Sequence, residues 1–117
     1  MAIPSGSGTE VLKRHAFVNT AAWTNILTVP TDHIYTILSI IFNEQNGHAG
    51  KIQLRLNTTA DVYLISGNST TQGTQVPAYS TFVFSDKFVL TSGDVLDVHN
   101  ATALGHWYIS YIDQDWT

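Results

Sequence analysis

The stretch TFVFSDKFVLTSGDVLDV, from Thr81 to Val98, decides the fold class of this chain. Two apolar runs flank an Asp-Lys pair, and a Ser-Gly-Asp turn at residues 92–94 leads into a third run. In that third run Leu96 and Val98 alternate with Asp97, which is the two-residue period of a half-buried β-strand. The stretch offers no nucleophile, metal cage or phosphate-binding loop. It predicts a β-scaffold.

The residues on either side of this stretch continue the same pattern. Residues 33–44 are apolar on both faces, so we expect a central strand or one that lies beneath an interface. Residues 51–57 alternate cleanly, and no segment has a convincing helical period. About eight short strands separated by turn residues indicate an all-β protein, an antiparallel β-sandwich of jelly-roll-like form.

The composition excludes several classes of protein. The chain has 117 residues, enough for one domain with its own core, and it contains no cysteine for disulfides or thiolate metal sites. Only 12% of its residues are charged, the net charge is -4, and of the five Lys and Arg residues only Lys13 and Arg14 are adjacent. We therefore expect no nucleic-acid partner, since phosphate binding needs clustered cations. No apolar run is long enough to span a bilayer, so we expect no membrane partner.

The polar N-terminus, MAIPSGSGT, predicts an extended arm. We divide the chain into a flexible or docking arm at residues 1–9 and a single β-sandwich domain at residues 10–117. If the arm docks on another chain, we expect its apolar contacts to be Ile3, Pro4, Val11 and Leu12. The alternative is an ordinary frayed terminus.

The inward faces of the strands should supply the hydrophobic core. We predict a core of Ile34, Leu38, Ile40, Phe42, Ile52, Leu54, Leu56, Leu64, Phe82, Phe84, Leu96, Val98 and Ile109.

No combination of residues predicts catalysis, a metal site or a cofactor. His99 and His106 flank a turn and could meet across a hairpin, but isolated histidines on a polar face are far commoner than metal ligands. Asp94 belongs to a turn, and Asp97 points outward on its strand, so neither is expected to be a buried acid of raised pKa. We predict that the protein is not an enzyme and needs no cofactor.

Aromatic residues are the remaining candidates for a site. Trp23, Trp107 and Tyr108 could pack in the core, anchor a subunit interface, or stack against a glycan, in that order of preference. Trp107, Ile109 and Tyr111 share one face of the last strand, and one of that strand's two faces should be core.

Four pieces of the chain, IPSGSGTEVLKR, VPTDHIYTILSIIFNE, VPAYSTFVFSDKFVLTSGDVLDV and WYISYIDQD, resemble small virion structural proteins of tailed bacteriophages. The similarity is to cyanophage-like head decoration or tail accessory proteins. It implies a β-sandwich unit that assembles as a symmetric oligomer on a virion, with no catalytic motif to carry over.

The sequence and this resemblance together predict a non-enzymatic virion protein that decorates the capsid or forms part of the tail or neck. Its expected partners are copies of itself, as a homo-oligomer and most simply a trimer, and other virion proteins such as the major capsid or tail proteins. The alternative function is a carbohydrate- or receptor-binding module at a fibre tip.

Overall fold

The computed structural model describes residues 8–18, 23–57, 60–65, 73–101 and 105–117. Within these ranges the chain forms ten β-strands, in the order β1 (Thr9–Val18), β2 (Thr24–Thr28), β3 (His33–Glu44), β4 (Gly50–Asn57), β5 (Asp61–Tyr63), β6 (Thr74–Val76), β7 (Thr81–Phe84), β8 (Phe88–Leu90), β9 (Val95–Ala101) and β10 (Gly105–Asp115).

The strands form two antiparallel sheets. In sheet A the order is β1-β10-β3, and both β7 and β8 pair with β3. In sheet B the order is β2-β9-β4, and both β5 and β6 pair with β4. Strands β7 and β8 share one strand position in sheet A, and β5 and β6 share one in sheet B. The ten strands therefore occupy four positions in each sheet. This is a jelly-roll arrangement, and it confirms the predicted fold class.

The core lies between the inner faces of the two sheets. Seven of the predicted core residues belong to it: Ile40, Phe42, Ile52, Leu54, Leu96, Val98 and Ile109. Four more are partly buried and pack against it: Leu56, Leu64, Phe82 and Phe84. The predicted core list did not include its other members, which are Ile26, Leu27, Val29, Tyr35, Ile37, Ile65, Val76, Leu90, Trp107 and Tyr111. Of these, Trp107 had core packing as the preferred of its expected roles.

A β-bulge explains why two predicted core residues, Ile34 and Leu38, lie elsewhere. Ser39 pairs with Ser110, but the next pair along β10 joins Tyr111 to Ile37, so Leu38 is an extra residue in β3. The extra residue switches which alternate side chains point inward. Tyr35 and Ile37 therefore face the core before the bulge and Ile40 and Phe42 after it. Ile34 is buried on the other face of the strand.

The beginning of the described chain belongs to sheet A. Thr9, which the sequence assigned to the arm, pairs with Asp115 as the first residue of β1. A Cβ atom on Gly8 would approach the Trp116 ring to 2.9 Å, so the backbone at Gly8 already lies against the C-terminal residues. Strand β1 then runs along β10 without a break in register as far as Val18.

Candidate interaction surface

Strand β1 is an edge strand with unusual exposure. All ten of its residues pair with β10, and no other strand of the described residues pairs with it. Only Phe17 is partly buried, and the side chains of Leu12 and Val18 are 72% and 70% exposed. The outer edge therefore presents a row of backbone N–H and C=O groups that a further strand could satisfy.

One ion-pair cluster holds β1 against the rest of sheet A. Lys13 Nζ donates to Asp113 Oδ2 at 2.7 Å, and His33 Nδ1 lies 2.7 Å from the other oxygen of the same carboxylate. Burial alone would raise the pKa of Asp113, but the hydrogen bonds from Lys13 and His33 outweigh burial and hold that pKa below its usual value. The hydrogen bond to Asp113 in turn raises the pKa of Lys13. The cluster thus joins β1, β10 and β3 on the inner side of the sheet.

The outer face of sheet A carries two apolar rows that cross the strands. The strand registers place one row across all four positions of the sheet, formed by Ala16, Tyr108, Ile41 and Val83. The second row is formed by the apolar residues Leu12, Ile112 and Val89 together with Thr36. Between them lies a short polar row in which the hydroxyl oxygens of Ser39 and Ser110 are 2.8 Å apart, with Arg14 beside Ser110 on β1.

Exposed apolar side chains are concentrated on this face. Of the eight large hydrophobic residues exposed in the described part of the chain, five lie there: Leu12, Val18, Val83, Val89 and Tyr108. Val11 belongs to the opposite face of β1, Val62 to β5 and Tyr79 to the turn before β7. A patch of this kind marks a contact surface more often than it occurs on an isolated monomer.

The outer face of sheet B differs because polar groups and one tryptophan cover it. The Arg55 guanidinium lies 3.9 Å from the centre of a Trp23 ring, and Arg55 Nε donates to Asp97 Oδ2 at 3.0 Å. Asp97 is only 1% exposed, which corrects the expectation that it would not be buried. It does point outward on its strand, as predicted, but Arg55 and Trp23 lie over this part of the sheet. Its burial gives no catalytic pair, because its nearest charged partner is a cation.

The histidines predicted as a conceivable metal pair are on different sheets. His99 is buried in β9 of sheet B, against the Trp23 ring, with ring centres 5.2 Å apart. Burial, and secondarily the nearby Arg55 charge, lowers the pKa of His99. His106 is exposed in β10 of sheet A. The described residues contain no cluster of three or more His, Asp or Glu side chains placed to hold a metal ion.

A second buried carboxylate organises the loops beside β3. Glu44, which is 2% exposed, accepts hydrogen bonds from the backbone N–H groups of Asn46, Gly47, His48 and Tyr79. Burial would raise the pKa of Glu44, but these four donors together lower it. The arrangement ties the β3–β4 turn to the turn before β7. Because all four partners are backbone groups of turns, the role of this carboxylate is structural.

The structure separates the three aromatic residues predicted as a site. Trp107 is 1% exposed and packs against Phe42, at 4.8 Å between ring centres, so it takes the core position that was the preferred of its three expected roles. Tyr108, the next residue along β10, points to the outer face of sheet A and is exposed. Trp23 lies over sheet B. They therefore form no common platform.

The structure does not place the predicted docking residues on one common surface either. Val11 and Leu12 lie in the edge strand and are both exposed, on opposite faces of it. Ile3 and Pro4 lie outside the described residues. The sequence did not identify Val83 and Val89 as surface residues. Their alternation with Phe82, Phe84, Phe88 and Leu90 was the available signal.

Comparison with known proteins adds a similarity of fold. No protein-family model matches the chain, and no curated protein matches it. Among solved structures, the chain is similar to a protein of Bacillus endospore appendages, described as a novel family of disulfide-linked pili. The match has 15% sequence identity and a TM-score of 0.50, and covers 100% of this chain and 97% of the other. None of the described residues forms a helix that is long and apolar enough to cross a membrane.

Proposed function

We propose that this chain is a structural subunit, without enzymatic activity, that functions by associating with further copies of itself and with other subunits of a protein assembly. The observation that carries the proposal is the edge strand β1, which is ten residues long, paired along one edge and exposed on both faces. Natural monomers protect such edges, because unpaired strands recruit other strands.

Strand β1 does carry one protective residue of the usual kind. An inward-pointing lysine on an edge strand discourages pairing with another strand. Here, however, the ammonium group of Lys13 is held by Asp113 at 2.7 Å, within its own sheet. The outward side chains of β1 include Leu12 and Val18, which continue the apolar outer face of sheet A. An assembly would cover both the edge and this face.

The kind of assembly is a further part of the proposal. The resemblance of the sequence supports a tailed-phage virion, with capsid or tail proteins as partners, while the solved structure of similar fold belongs to a pilus. Both are built from repeated subunits. The disulfide linkage of those pili has no counterpart here, because the chain has no cysteine. Contacts between copies of this chain therefore cannot be disulfide bonds.

Mass measurement by light scattering, over a range of concentrations of the purified chain, tests self-association. We expect a mass that is a multiple of 12.9 kDa. Leu12→Lys should lower the mass, because it places a charge in the middle of the exposed edge strand. Val62→Lys is the matched control: Val62 is also exposed, but it lies in sheet B. A mass of one copy at every concentration would contradict the proposal.

The glycan-binding alternative has less support. A ring can stack against a sugar only where it is exposed, and a platform for a glycan needs several such rings on one face. Of the three candidates, Trp107 is in the core, and Tyr108 and Trp23 lie on different sheets. The geometry therefore favours a contact surface for protein over a site for carbohydrate.

A further inference from the structure

We propose that β1 pairs with β1 of a second copy of this chain, antiparallel, about a two-fold axis that passes through Leu12. This inference rests on the proposed function, because it names the surface through which two copies associate. It derives from three properties of the described residues: the free edge of β1, the faces to which its side chains point, and the order of its charges.

The faces to which the side chains of β1 point restrict the registers in which two β1 strands can pair. A two-fold axis perpendicular to a sheet joins two edge strands so that the outer face of one copy continues as the outer face of the other. Residues opposite each other in an antiparallel pair point to the same face. An outward residue of β1, such as Leu12 or Arg14, must then lie opposite an outward residue of the partner strand. Only registers centred on a residue, and not between two residues, satisfy this condition.

The charges select one of those registers. With the axis at Leu12, Glu10 lies opposite Arg14 of the second copy, and symmetry creates the same pair again on the other side of the axis. Opposite charges placed directly across two strands stabilise the pair, whereas like charges destabilise it. With the axis at Lys13, two lysines would lie opposite each other. With the axis at Arg14, two arginines would do so.

A shift in the other direction is also less favourable. With the axis at Val11, Glu10 would lie opposite Leu12 and Arg14 opposite Gly8. Neither charge would then face an opposite charge across the strand pair. The register at Leu12 is therefore the one in which the outward face of β1 is complementary to itself. Its centre is a Leu12–Leu12 contact, and a charge pair lies on each side of it.

The contacts of these residues within one copy are compatible with such a pair. Glu10 Oε1 accepts a hydrogen bond from Gln114 at 2.8 Å, which leaves its second carboxylate oxygen for an arginine. Lys13 is on the inner face and is held by Asp113, so it does not compete for Glu10. Pairing would join sheet A of one copy to sheet A of the other, five strands each. The apolar outer faces of the two copies would then form one continuous surface.

The absence of cysteine from the chain makes a cross-linking test specific. Opposite residues of an antiparallel pair have Cα atoms about 4.5–5.5 Å apart, which fits a disulfide. Leu12→Cys should therefore form a disulfide-linked dimer under mild oxidation. Ala16→Cys is the matched control on the same face of the same strand. The proposed register places its two copies about 27 Å apart, so it should remain uncross-linked.

Charge reversal tests the register independently. Glu10→Arg and Arg14→Glu should each weaken self-association about tenfold, since each puts like charges opposite each other at two places. An equimolar mixture of the two single variants should form mixed dimers in native mass spectra, because their charges are then complementary. The double variant Glu10→Arg/Arg14→Glu should associate as the unaltered chain does. Circular dichroism of each variant checks that the β-sandwich is retained.

The outcomes separate this inference from the proposed function. If the unaltered chain self-associates but Leu12→Cys does not cross-link and the mixed variants do not pair, the β1 pair is wrong and the proposed function stands. Cross-linking of Ala16→Cys with itself would also overturn the register, and an assembly of three equivalent copies would overturn the two-fold axis. A chain that remains a single copy would overturn both proposals.

Discussion

Lys13 and Asp113 are 100 positions apart in the sequence, yet Lys13 Nζ lies 2.7 Å from Asp113 Oδ2 across the first and last strands. The carboxylate is nearly buried, whereas the lysine side chain is 45% exposed. The edge strand β1 has few buried side chains to hold it in place. This ion pair, the stacking of Phe17 on Trp107 and the backbone pairing to β10 together hold β1 in sheet A.

Replacement of Lys13 by methionine should loosen β1 without unfolding the domain. Methionine keeps much of the side-chain length but removes the ammonium group, and a partly exposed ion pair contributes about 0.5–1 kcal/mol. We expect faster hydrogen exchange at the backbone amides of β1 and little change in β3 and β4. Lys87→Met, in the exposed segment between β7 and β8, is the control of equal charge.

The same ion pair should make the stability of the folded chain depend on pH. The pKa of Asp113 is lower in the folded chain than its ordinary value of 3.8, so its contribution to stability is present above that pH and is lost as the pH falls through the folded-state pKa. The loss of stability on acidification should be smaller in Lys13→Met than in the unaltered chain. Equal acid sensitivity of the two proteins would show that the pair does not stabilise β1.

Truncation of Leu54 and of Leu38 should have clearly different costs. Leu54 is completely buried between the sheets, so Leu54→Ala should lower the free energy of unfolding by about 2–5 kcal/mol. Leu38 is the extra residue of the bulge and is only partly buried, so Leu38→Ala should cost less than half as much. Urea denaturation of both variants measures the difference. Equal costs would mean that Leu38 belongs to the core after all.

The sequence could predict the fold because alternation of apolar and polar residues is a local property. In β4 and β9 the inward residues Leu54, Leu96 and Val98 follow that alternation and are fully buried. In β3 the alternation fails at Leu38, because a bulge shifts every later side chain to the other face. A bulge depends on the pairing with β10, which no local pattern of β3 contains.

The polar residues of sheet B show a second limit of local reasoning. Gln53 and Asp97 point outward, as alternation predicts, but both are buried. Trp23 and Arg55 lie over this face, and Trp23 comes from a different part of the chain. Trp107 and Tyr108 give a similar example, because they are neighbours in sequence but only Trp107 enters the core. Their different positions depend on the place of β10 between β1 and β3 in sheet A, which the sequence of β10 alone does not show.

His99 should make the stability of the domain sensitive to mildly acidic pH. Burial, with a smaller effect of the Arg55 charge, lowers its pKa from the ordinary value of 6.5, and its Nδ1 atom has no hydrogen-bond partner among the described residues. The unfolded chain therefore binds a proton at this residue more readily than the folded chain does. The free energy of unfolding should decrease as the pH falls below about 6.5.

The variant His99→Phe tests this dependence. It preserves a ring against Trp23 and removes the titrating group, so it should abolish the decrease between about pH 6.5 and 5. His48→Phe, at an exposed turn position, should keep it. Thermal unfolding of the three proteins across that range measures the effect, and an unchanged pH dependence in His99→Phe would assign the decrease to another residue.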